Sequence, residues 1–114
     1  MAPRREIKEV LGDLLLFSIP LPALRSQLSG QREGEQALAT LERRHLKDVL
    51  GRYLAGSLLQ EQVEEWANLV EGRRDIDIPN DDAIQKVLHR LANPTITIAL
   101  TPESARDMVA LLES

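Results

Sequence analysis

Four times after residue 36 the apolar side chains return at steps of three and four, and this periodicity limits the chain more than any other feature. Leu38, Leu41, Leu46, Val49, Leu50, Tyr53 and Leu54 form one stripe, and Val63, Trp66, Ala67 and Val70 a second. Ile84, Val87, Leu88 and Leu91 form a third, and Ala105, Met108, Val109 and Leu112 a fourth. Such steps return to one side of a 3.6-residue helix, so each stripe is the buried face of an amphipathic helix. Punctuation of independent origin agrees. The first helix of the four runs from about Gln36 to Ala55, with Gly56 free to take the left-handed terminating position. Ser57 and Gln60 have the spacing of a capping box for the next helix, which Gly72 ends. Asn80 or Asp81 caps the third, Asn93-Pro94 stops it, and Thr101-Pro102 opens the fourth.

Between these helices, RRDIDIPN reads as a short extended segment in which Ile76 and Ile78 point inward and the aspartates outward. TITIAL is β-like in composition, but a lone strand has no evident partner, so an extended connector is expected there. Upstream, Arg4 to Phe17 forms a helix with Ile7, Val10, Leu11 and Leu14 on one face. Ser18 to Pro22 interrupts it, and Pro22 opens a short helix, Ala23 to Leu28. The glycine-bearing polar run GQREGE, with residues 31–35 at its centre, is the expected flexible loop. The expected fold class is therefore all-α, a compact helical bundle of about five to six helices in one domain over residues 1–114. Residues 36–114 supply its four-helix core.

Composition supports helices packed on helices. Hydrophobic residues make up 43% of the chain but aromatics only 3%, so leucine, valine, isoleucine and alanine must fill the core. A β-sandwich of this size would draw on more aromatic and β-branched residues. There are no cysteines, which excludes a disulfide framework and thiolate metal sites. The N-terminal run MAPRREIKEVLGDLLLFSIPLPAL lacks the pattern of a secretory signal, because Glu6, Glu9, Asp13, Pro20 and Pro22 interrupt it. No apolar run has the length of a membrane span, and a cytoplasmic location is expected.

Catalytic chemistry finds no foothold. Glu42 and His45 match the Glu-x-x-His spacing of di-iron bundles, but such a site needs a second copy of the motif, which is missing. The other histidine, His89, falls near a helix C-terminus, where the dipole favours it. Asp75 and Asp77 suggest a calcium loop, yet Pro79, Asn80 and Lys86 then occupy positions that require an oxygen ligand, glycine and glutamate. A phosphate-binding glycine loop, a nucleophile elbow and a reactive cysteine are all lacking. No catalytic residue, metal or cofactor is expected, and Trp66 is read as a core anchor with its ring N–H at the edge rather than a stacking platform.

Charge is more informative. Residues 1–56 carry 9 Lys/Arg against 7 Asp/Glu and residues 57–114 carry 5 against 11, balances of +2 and −6 that make the net −4. Eight of those acids fall between Glu61 and Asp82, opposed there only by Arg73 and Arg74. Glu61, Glu64, Glu65, Asp75, Asp77 and Asp81 are the candidate partner-binding residues, and Glu64, Glu65, Asp75 and Asp77 are expected to face solvent. Such a surface attracts a basic protein and repels nucleic acid. The cluster Arg43, Arg44, His45 and Lys47 is the one basic patch, and it is small.

GRYLAGSLLQEQVEEWANLVEGRRDIDI, followed by HRLANP and LTPESARDMVALL, resembles small all-helical bacterial proteins, and more loosely the helical immunity proteins of the colicin D type. The likeness spans Gly51 to Leu112 and rests on a Tyr-Leu-x-Gly turn, the Trp66-Ala67 pair and the Leu-Thr-Pro-Glu opening of the last helix. It implies a small acidic bundle that neutralises a basic ribonuclease toxin by occupying its substrate-phosphate site. Glu64, Glu65, Asp75 and Asp77 would take that role by position. The leading expectation is a non-enzymatic, protein-binding module with an acidic face. The alternative is a structural or regulatory subunit, a homodimer included, assembled through Leu15, Leu16, Phe17 and Ile19, which otherwise complete the core.

Overall fold

In the computed structural model, residues 7–29, 37–73, 75–97 and 99–113 are described, and they form six helices and one pair of very short strands. The elements in order are α1 (Ile7–Leu16), α2 (Leu21–Ser29), β1 (Ala39–Thr40), α3 (Arg43–Leu54), α4 (Gln60–Glu71), β2 (Ile76–Asp77), α5 (Asp82–Ala92) and α6 (Pro102–Glu113). The all-α bundle is as expected, and α3 to α6 are its four later helices. The most closely packed helix pairs are α4 with α5 and α3 with α6, while α3 also touches α1, α4 and α5 and so lies at the centre. The flexible loop expected at residues 31–35 lies outside the described residues.

Most of the four stripes becomes the core, but Leu54, expected inward, is exposed, and Tyr53 and Val109 are only partly buried. Leu46, Val49 and Leu50 of α3, all of Val63, Trp66, Ala67 and Val70 of α4, and Ala105, Met108 and Leu112 of α6 are buried. Ile84, Val87, Leu88 and Leu91 of α5 join them. The N-terminal helices belong to the same core through Val10, Leu11, Leu14, Leu15, Leu21, Leu24 and Leu28.

Two helices end in the same motif, and only one of them uses glycine. After α3, Gly56 adopts a φ of 83°, with its amide donating to the Tyr53 carbonyl and the Ser57 amide to that of Arg52. This is the Schellman arrangement, in which a left-handed residue returns two amides to the last turn. After α1 the same two bonds run from Phe17 to Leu14 and from Ser18 to Asp13, both 3.1 Å, and the left-handed residue is Phe17 at φ 49°. A phenylalanine there is strained by about 1–2 kcal/mol. Packing offsets the cost. The Phe17 ring stacks on Trp66 with centroids 6.3 Å apart and planes 14° from parallel, and the Arg52 guanidinium lies 5.4 Å above it. Arg52 also donates to the carbonyls of Leu16 and Phe17 (2.6 and 2.8 Å), groups that a helix end leaves without partners.

α2 begins at Leu21 rather than Ala23, and two later helix starts also differ from expectation. The helix expected from Gln36 begins at Arg43, because residues 38–41 are drawn into parallel pairing with β2, Ala39 opposite Ile76 and Thr40 opposite Asp77. Leu38 and Leu41 donate to the carbonyls of Asp75 and Asp77, and Leu38, expected inward, is half-exposed. A strand of two residues is stable only with a partner, and that partner lies far away in sequence. The helix expected to be capped by Ser57 begins at Gln60 instead. The Leu59 amide donates to Gln62 Oε1 at 2.8 Å, so the back-bonding half of the capping box sits two residues later than expected.

The other caps follow the sequence. Asp81 accepts from the amides of Ala83 and Ile84 ahead of α5. Thr101 and Ser104 exchange reciprocal bonds, amide to hydroxyl, at 3.1 and 2.9 Å ahead of α6. TITIAL is not extended at its start. The Thr97 hydroxyl and amide both return to the Asn93 carbonyl, at 2.6 and 3.1 Å, which folds residues 93–97 into a turn. The threonine side chain, a local backbone competitor, decides this.

Candidate functional site

The candidate acids divide between those that hold the fold and those that face water. Along α4, Glu61, Glu64, Glu65, Asn68 and Glu71 recur at steps of three and four. They lie opposite Val63, Trp66, Ala67 and Val70, and Trp66 fixes which side faces out. Its ring N–H donates to the Leu14 carbonyl, within the core and not at its edge. Glu61, Glu65 and Glu71 are exposed and Glu64 is half-buried. Glu65 meets Arg25 of α2, and Glu71 lies 3.8 Å from His89. Glu61 and Glu64 have no ion-pair partner among the described residues. Glu61 also sits in the first turn, where the helix dipole favours its charge.

The aspartates behave differently. Asp75 is 0% exposed, which overturns the expectation that it faces solvent. Both of its oxygens accept from Arg73, at 2.8 Å each, in a forked pair whose arginine is 13% exposed. Alternation of inward and outward side chains holds only inside a paired strand, and Asp75 precedes β2. Ile76 is buried and Asp77 exposed, as the alternation requires.

Asp81 is not free either. Its carboxylate caps α5 and takes a second fork from Arg43, Nε at 2.8 Å and Nη2 at 3.1 Å. The Arg43 bonds, then the α5 amides, hold its carboxyl below the usual aspartate range against the opposing effect of burial. Arg43 donates further to the Leu112 carbonyl, so one guanidinium ties α3 to the start of α5 and the end of α6.

The Glu42-x-x-His45 spacing has a structural explanation. His45 is 4% exposed at the third position of α3, and its Nδ1 accepts from the Glu42 amide at 2.9 Å. The imidazole thus acts as the back-bonding member of a capping box. Burial, then the nearby Arg44 charge, lowers its pKa below the ordinary histidine value. Glu42 is held by Arg44 at 3.0 Å, which lowers its own pKa. Among the described residues, no three His, Cys, Asp or Glu are grouped to hold a metal ion.

The small basic patch is likewise paired. Arg43 faces Asp81, Arg44 faces Glu42, and Lys47 lies 3.5 Å from Glu113. These residues border an open groove with Leu112, and each cation in it already meets a carboxylate. Of the apolar N-terminal residues, Leu15 and Phe17 are buried and Ile19 is partly so, which leaves Leu16 at 47% exposure. No helix among the described residues is long and apolar enough to cross a membrane.

Sequence reasoning missed the two arginine forks. Arg43 and Asp81 lie 38 residues apart, and nothing local in either segment announces the pairing. The Arg73-x-Asp75 fork was closer to hand, since a buried carboxylate requires an adjacent cation. No family model, no curated protein and no solved structure matches the chain.

Proposed function

We propose that this chain is a non-enzymatic protein-binding module whose carboxylates on the solvent side of α4, Glu61 and the half-buried Glu64 foremost, with Glu65 and Asp77, engage a basic protein. The observation that carries the reading is that Glu61 and Glu64 have no ion-pair partner among the described residues. They stand on the solvent side of a helix whose other side is locked by Trp66, and neither is neutralised by a neighbouring cation among the described residues. An acidic strip on a rigid helix steers a cationic partner and sets its register at little folding cost. The most concrete form is an inhibitor of the immunity type, in which these carboxylates occupy the phosphate site of a basic nuclease. Asp75 and Asp81, committed inside the fold, are not part of that contact.

The test is capture of partners from the source cell with wild-type protein and with the E61K/E64K/D77K variant, at low and high salt. Basic proteins should be retained by the wild type at low salt, released at high salt, and lost by the variant. Identical sets from both proteins, or no basic protein from either, would remove the reading.

A further inference from the structure

We propose that the cleft between α1, β1 and the start of α3 binds a small carboxylate carrying a short apolar chain. The His45 ring N–H and the Lys8 ammonium would meet the carboxylate, and Leu15, Leu16 and Leu38 the chain. The cleft has a volume of about 290 Å³ and is lined by these residues together with Gly12, Thr40 and others. That volume is near the lower end of small-ligand sites. Leu16 and Leu38, 47% and 37% exposed, are two of the few large apolar side chains left on the surface, and both line this one cavity.

The polar end rests on the tautomer of His45. Because Nδ1 accepts the Glu42 amide proton, the neutral ring must carry its own proton on Nε2. That N–H has no partner among the described residues, although the side chain is more than nine-tenths buried and lines the cleft. That donor has no acceptor among the described residues, and a carboxylate that reaches it through the cleft would supply one. Lys8 at the rim has no ion-pair partner among the described residues and adds a positive charge. Glu42 also lines the cavity, but Arg44 holds its carboxylate at 3.0 Å. Donors and leucines lining one cleft describe an amphiphilic anion. None of the lining residues belongs to α4, so this site is independent of the acidic strip.

Titration calorimetry of the full chain with octanoate tests the proposal. Saturable binding of one octanoate is expected, with 1-octanol binding about tenfold more weakly or worse, because it lacks the charge. His45→Glu keeps an acceptor for the Glu42 amide, as glutamate does in a capping box, and has no N–H to offer the ligand. It should remain folded, with a cooperative thermal melt, and lower octanoate affinity about tenfold or more. Lys8→Ala, at an exposed rim position, should lower it by about threefold. Failure of octanoate to saturate, equal binding of octanol, or unchanged affinity in both variants would overturn the proposal.

Discussion

At the scale of single residues, Trp66 is held from three directions, by its helix stripe, by the Phe17 ring and by the Leu14 carbonyl. Its inward position was legible from the spacing of Val63, Trp66, Ala67 and Val70. Its hydrogen bond was not, because the acceptor lies 52 residues upstream. Trp66→Ala should cost about 3–5 kcal/mol in denaturant unfolding, since the vacated volume sits in a core that cannot close around it. A loss below about 1 kcal/mol would mean that the ring is not buried. Asp75 is the opposite case. The alternation of the IDI run placed it outward, but that rule needs a paired strand, and pairing begins one residue later.

At the scale of elements, local chemistry predicted helix existence better than helix starts. Gly56, Asp81 and Thr101 act where the sequence places them, because each works through its own backbone or side chain. The shift from Gln36 to Arg43 was illegible for the reason that β1 exists only through β2. Gly56→Ala should cost about 1–2 kcal/mol, and this cost is conformational, since nothing lies within 4 Å of an added Cβ. A thermal melt unchanged by the substitution would show that the left-handed turn is not populated.

The start of α3 carries a pH dependence. His45 is held neutral, with a folded pKa below the unfolded value of about 6.5. Its contribution to stability is therefore complete above about pH 6.5 and is lost as pH falls through the lower folded value. Protonation would also set a ring N–H against the Glu42 amide. Melting temperature should decline as the medium is acidified from neutrality, and His45→Gln should flatten that decline. Asp81, depressed by Arg43, acts in a lower window, its contribution complete above about pH 4 and lost below.

At the scale of the molecule, the acidic half predicted by counting charges is two populations. Asp75 pairs inside the fold with its near neighbour Arg73, and Asp81 anchors Arg43, which joins α3 to α5 and α6, whereas Glu61, Glu64 and Asp77 are spread over the outside. Charge balance along a chain cannot separate these, because burial is decided by contacts between distant segments. The denaturant-unfolding free energy of two variants tests this division most directly. Asp75→Ala strips the partner from a nearly buried guanidinium and should lose about 3–5 kcal/mol. The triple reversal E61K/E64K/D77K should lose about 1 kcal/mol or less, as expected for surface charges without ion-pair partners. Comparable losses in the two proteins would contradict the account, for the α4 carboxylates would then be part of the fold and not a free surface.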